Sequence, residues 1–187
     1  MLQIEGTIVH DADAHVVEVP DWFFPYADTA TREKLQPLYV ASVKPGEHDL
    51  IEQYRAKHTD PEFRAQDAEQ IWLRKNWAAT GSFIAADRPV AIDLLGVASQ
   101  LVFNTFANNT LKRAELGDDL DYAYGIAAAH NRAMLDFCSV DERLLPTCYL
   151  PLADFDRAAT AAREWIDAGA AALLVASAPP RTHSPSH

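Results

Sequence analysis

An α/β fold on a parallel sheet is what this 187-residue sequence predicts, and three features predict it. Apolar runs of strand length recur near residues 8–15, 99–104, 144–150 and 171–176. Helical patterns lie between the later runs, and capping residues and glycines punctuate the joints. Strand, helix, strand, helix, strand is the rhythm that sets parallel strands side by side with helices laid over them.

The first strand comes from "IVHDADAHVV", where polar residues alternate with apolar ones. Pro20 and Asp21 close it, and "DWFFPYA" predicts a short aromatic helix. From about 29 to 80 the composition turns charged and polar, with one helix expected in "PEFRAQDAEQIWLRKNWA" and an apolar stripe of Phe63, Ile71, Trp72 and Trp77. This stretch reads as a helical insertion or lid after the first strand. "RPVAIDLLG" predicts a helix with Pro89 in its first turn and Gly96 just past its end, leading into the strand "VASQLVFNT". A long helix follows in "DDLDYAYGIAAAHNRAMLDFC", capped by Asp118 or Asp119, and then the strand "RLLPTCYLP". "DFDRAATAAREWIDAG" predicts a helix capped by Asp154 and stopped by Gly169, and "AAALLVASAPP" a fourth strand. Residues 178–187 read as a flexible tail.

Composition narrows the function. The formal net charge of -11, with no cluster of Lys and Arg, disfavours a nucleic-acid or anionic-membrane surface, because both need clustered cations. Cys138 and Cys148 have no CxxC spacing and read as reduced, buried thiols. The N-terminus lacks a basic and then apolar leader, and no run reaches the ~20 apolar residues of a membrane span, so a cytoplasmic protein acting on a small molecule is expected.

The chemistry concentrates in "HDADAH". On a regular strand, alternate side chains share a face, which predicts Asp11, Asp13 and His15 together on one side. An imidazole beside a carboxylate at a strand end suits a borderline divalent cation; the same pair also suits a surface ion pair, and spacing leaves both readings open. Glu18 is placed to support His15 from behind or to face water. Asn104, at the end of the second strand, reads as a turn former or a substrate contact. Trp22, Phe23 and Phe24 read as core or as a pocket mouth. His183 and His187 read as tail histidines.

"IVHDADAHVVEVPDWF" resembles the opening of the amidohydrolase-related family that includes aminocarboxymuconate-semialdehyde decarboxylase and the resorcylate decarboxylases, in which a first strand bears two metal ligands one residue apart. "RPVAIDLLGVASQLVF", "AAAHNRAMLDFCSVDERLLPTCYLPLADFDRAA" and "AGAAALLV" resemble that family's following units in the same order. The resemblance implies a partial TIM (β/α)8 barrel, about its first four βα units in one incomplete domain over residues 1–187, since a closed barrel takes about 250 residues. It implies that Asp13 and His15 are metal ligands, zinc first and manganese second, for hydrolysis of a C–N or C–O bond or for decarboxylation of a small carboxylic acid. It places the catalytic acid/base residues beyond residue 187, and Asn131 on a helix where it bonds a neighbouring loop. Two expectations follow: a truncated metalloenzyme, or a non-catalytic remnant that acts as an interaction module. In either case an open barrel edge invites a homo-oligomer.

Overall fold

The computed structural model describes residues 6–38 and 49–179. Its centre is a four-stranded, wholly parallel sheet in the order β1-β2-β3-β4, with β1 at His10–His15, β2 at Ser99–Phe103, β3 at Leu144–Tyr149 and β4 at Ala172–Leu174. The four strands fall where the sequence places them. The sheet runs open from β1 to β4.

Ahead of β2 the chain forms α1 (Thr29–Arg32), α2 (Asp49–Thr59), α3 (Pro61–Ala65), α4 (Asp67–Gln70), two short 3-10 turns at Asn76–Ala78 and Ala85–Asp87, and α5 (Arg88–Leu95). α6 (Ala107–Glu115) and α7 (Leu120–Cys138) join β2 to β3, and α8 (Phe155–Asp167) joins β3 to β4. Asp119, rather than Asp118, caps α7 by accepting from the Tyr122 amide, and Asp154 caps α8 through the Arg157 amide. Gly96 ends α5 at φ 69°, the left-handed conformation that glycine reaches without a Cβ penalty.

Three expectations fail locally. "DWFFPYA" folds as successive hydrogen-bonded turns, Phe24 N to Asp21 O and Tyr26 N to Phe23 O, because Pro25 supplies no amide to continue a helix. The single helix expected over 61–78 breaks into α3, α4 and a 3-10 turn. Arg74 stitches the pieces, donating to Asp67 Oδ1 at 2.6 Å and to Phe63 O at 2.9 Å while its guanidinium lies 3.6 Å from the Phe63 ring centre. Charge pairing across turns thus outweighs the helical pattern. α6, which the alternating strands and long helix left unassigned, also forms. Of the insertion, residues 39–48 lie outside the described residues, as do 180–187 with His183 and His187.

Two apolar clusters hold these layers. Ala14, Val16, Val102 and Leu144 on one sheet face meet Ile92 of α5 and Met134, Phe137 and Cys138 of α7. Phe23, Leu38, Ile51, Trp77, Phe83, Leu111, Ile126 and Tyr149 form the second cluster, so the insertion packs onto the sheet's C-terminal end through Trp77 and Ile51. Phe23 is fully buried, and Trp22 and Phe24 pack against the clusters; the aromatic triplet is core. Cys138 and Cys148 are free and buried, and burial pushes both thiols up to about 12. Among the described residues no helix is long and apolar enough to cross a membrane.

Candidate metal site at the end of the first strand

β1 does not keep regular alternation. Its register against β2 runs His10–Ser99, Asp11–Gln100, and then skips to Ala14–Val102 and His15–Phe103, so three steps on β1 oppose two on β2. Paired residues of parallel strands point to the same side. Asp11 and Ala14 therefore lie on the buried face with Gln100 and Val102, and His15 lies with Phe103 on the other. The expectation that Asp11 shares a face with Asp13 and His15 is corrected by this bulge: the extra residue flips the phase between Asp11 and Asp13.

Asp11 is a strut. Its Oδ2 accepts from Gln100 Nε2 at 3.0 Å, and Gln100 Oε1 accepts from Arg88 Nε at 2.8 Å. Arg88 is 6% exposed and donates through Nη1 to the carbonyls of His15 (3.0 Å) and Gly81 (3.1 Å), with burial holding its guanidinium below the ordinary arginine range. Gly81 must be glycine there: its φ is +70°, and a Cβ would sit 2.6 Å from the Arg88 Cα. The sequence reading missed Arg88 and Gln100. The one signal was a glutamine inside an otherwise apolar strand.

Asp13 and His15 come together as expected. His15 Nε2 lies 3.3 Å from Asp13 Oδ1, with the side chains 44% and 90% exposed respectively. The other imidazole nitrogen decides the chemistry. His15 Nδ1 is 2.9 Å from the Asn104 carbonyl oxygen, which can only accept, and 3.4 Å from Thr105 Oγ1, whose own proton goes to the Val16 carbonyl. Nδ1 therefore carries a proton. In the neutral ring Nε2 then presents a lone pair to a carboxylate, an arrangement that needs a cation between them or a second proton on the ring.

Zinc bound at ~2.0–2.1 Å to two ligands of a tetrahedron holds them ~3.3 Å apart. The Nε2–Oδ1 separation matches that edge. A carbonyl on Nδ1 is also the contact that fixes a ligating histidine's tautomer. The donor set therefore fits a divalent metal, and the high exposure of Asp13 leaves room for further ligands. Among the described residues no group of three or more His, Cys, Asp or Glu gathers at one point, so this pair supplies two donors and no more.

Glu18 and Asn104 act behind the pair. Glu18 is fully buried and does not touch His15; its carboxylate accepts the amides of Thr105 (3.0 Å), Phe106 (2.8 Å) and Ala107 (3.2 Å) at the start of α6. Burial raises its carboxyl above the ordinary range, against the lowering effect of those amides. By holding this turn it fixes the Asn104 carbonyl that orients His15. The Asn104 side chain is 1% exposed, with Nδ2 donating to Asn108 Oδ1 at 3.1 Å and Oδ1 buried without a partner among the described residues. Asn108 in turn lines a cleft of about 300 Å³ with Asn109, Lys112, Tyr149 and Leu174 at the C-terminal ends of β3 and β4. Asn131 bonds a strand rather than a loop: Nδ2 donates to Tyr149 O at 2.9 Å and Oδ1 accepts from Tyr149 N at 2.7 Å.

No sequence profile of a known protein family matches the chain, and no curated protein matches it by sequence. Among solved structures, it is similar to an amidohydrolase from Mycobacterium avium subsp. paratuberculosis K-10, with a TM-score of 0.64 at 17% identity. The fold is amidohydrolase-like. The match takes in 94% of this chain and 51% of the other, so the chain spans about half the length of that solved structure.

Proposed function

We propose that Asp13 and His15 are two ligands of a divalent metal, and that the chain supplies the metal-holding first part of an amidohydrolase-type hydrolase or decarboxylase. The observation that supports this most directly is the His15 ring: with Nδ1–H committed to the Asn104 carbonyl, its Nε2 lone pair faces the Asp13 carboxylate 3.3 Å away. Zinc suits the imidazole and carboxylate donors, and manganese suits a set rich in oxygen. When bound, such a metal activates a water or polarises a carbonyl or carboxylate oxygen of the substrate.

The chain's own residues prepare the site. Asn104 O and the Glu18-held turn set the His15 tautomer, Arg88 braces the strand end through the His15 carbonyl, and Asp13 keeps an oxygen open to the lumen side. Lys112, at the cleft beyond Asn108, supplies a cation that favours a substrate bearing a carboxylate. A small carboxylic acid held between that cation and the metal ligands is the arrangement both hydrolysis and decarboxylation require, which agrees with the sequence resemblance to the decarboxylase branch.

The test is metal content. Purified protein should retain zinc or manganese, measured by mass spectrometry of the dialysed chain, and an Asp13→Ala, His15→Ala double variant with unchanged circular dichroism should lose it. Equal content in the two proteins would remove the assignment. A second reading, a non-catalytic interaction module, is favoured by the count of two donors among the described residues. It predicts no retained metal in either protein.

A further inference from the structure

We infer that two copies of this chain pair edge to edge, β4 of each against β1 of the other, closing eight parallel strands around one shared metal centre. The inference rests on the reading of Asp13 and His15 as ligands. Four parallel strands in the order β1-β2-β3-β4 leave two outer edges that run in the same direction. Each is therefore a partner for the opposite edge of a second copy, and a two-fold axis along the strands makes both joints at once. Eight parallel strands is the number at which such a sheet closes, with an interior that side chains fill.

The occupant of these edges is not a segment of the chain itself. The residues outside the description, 1–5, 39–48 and 180–187, are too few for four more strands with their helices, since each βαβ unit takes roughly 30 residues. The sheet face opposite α5 and α7 also calls for a cover: Leu101 and Phe103 of β2 are only partly buried, and Leu145 of β3, paired with Leu101, is 37% exposed. Beside the β4 edge, Ile166 of α8 is 56% exposed and Val175 43%. At the other edge Arg88 and Ser82 cap the backbone at His15 and Val17, while Ile8, 75% exposed, continues the strand below them.

Closure has a chemical consequence. In a ring of eight strands made from two copies, the two β1 strands stand four places apart, directly across the interior. Each Asp13 and His15 pair then faces its twin. Two imidazoles and two carboxylates make a four-ligand tetrahedral set, which is what zinc prefers and what one copy lacks.

Sedimentation and light scattering of the 187-residue chain loaded with zinc chloride, together with zinc stoichiometry, test this. The expected mass is twice 20.7 kDa, with about one zinc per two chains. Leu145→Lys, on the uncovered face, should give a monomer that has lost zinc although Asp13 and His15 are intact; should it fail to fold, Ile166→Glu on the exposed side of α8 serves in its place. The Asp13→Ala, His15→Ala variant should stay paired or weaken, without zinc. A folded monomer holding one zinc per chain overturns the shared centre while leaving the ligand assignment standing. A folded monomer at every concentration without zinc overturns both, and a dimer whose zinc survives Asp13→Ala, His15→Ala overturns the ligands alone.

Discussion

His130 sits at 1% exposure, with its Nδ1 accepting from Trp22 Nε1 at 3.2 Å. Burial alone lowers its pKa to about 3, so the folded ring stays neutral across the range in which an unfolded histidine, near 6.5, takes up a proton. The unfolded state therefore binds more protons below pH 6.5, and stability falls as the pH drops from there toward 3. Between pH 7 and pH 4.5 the loss should be roughly 2 kcal/mol from this residue. Urea unfolding at the two pH values would measure it, and His130→Phe should flatten the dependence even though Trp22 Nε1 loses its acceptor. A pH dependence unchanged by that substitution would place the proton elsewhere. His15 could not have been separated from His130 by sequence context alone, since each is a lone imidazole among alanines and valines. The difference lies in what the ring nitrogens meet: a carbonyl and a carboxylate at the strand end, an indole N–H inside the helix layer.

At the scale of elements, α7 and β3 are held in register by one side chain. The Asn131 carboxamide meets both the amide and the carbonyl of Tyr149, as another peptide group would, where the last residue of β3 leaves the sheet. Asn131→Ala strands two buried backbone groups, and unfolding free energy should fall by about 3 kcal/mol, with Asn131→Leu costing at least as much. Near-native stability in Asn131→Ala would show that water replaces the amide. The strands were legible in the sequence because β-rich apolar runs between caps are a local signal. α5, α7 and α8 were legible for the same reason, through Pro89, Asp119, Asp154 and Gly96. The insertion was not: its breaks are set by Arg74 reaching back to Asp67 and Phe63, contacts that exist only after the chain has turned. The bulge in β1 escaped for a similar reason, because a shift of register belongs to two strands, and only one of them is written in "HDADAH".

For the whole molecule, half the site was readable and half was not. Asp13 and His15 could be picked from spacing because strand geometry brings next-but-one residues together. Arg88, Gln100 and the Asn104 carbonyl could not, because they reach β1 from residues about 70 to 90 positions away through packing. The sheet itself explains why the site is spare in donors. Residues at the C-terminal ends of parallel strands converge only when the strands curve around a common axis, and four strands curve through part of that circuit. The Glu18 clamp and the Arg88 brace spend buried hydrogen bonds on fixing the end of β1 even so, which is where rigidity matters for ligands that must meet others across an interior.

The bulge between Asp11 and Ala14 gives the first strand two separate kinds of sensitivity. On an unbroken strand, a position-by-position mutational survey would show effects in a rhythm of two, and loss of folding and loss of metal would fall on opposite parities. Here the rhythm stumbles. Asp11 and Ala14, three apart, should yield poorly expressed protein, whereas Asp13 and His15 should yield sound protein that emerges from purification colourless to cobalt. A library selected on yield alone would therefore pass every defect in the site, and one selected on metal would confound the two; sorting by both separates the strand's architecture from its chemistry within six consecutive codons.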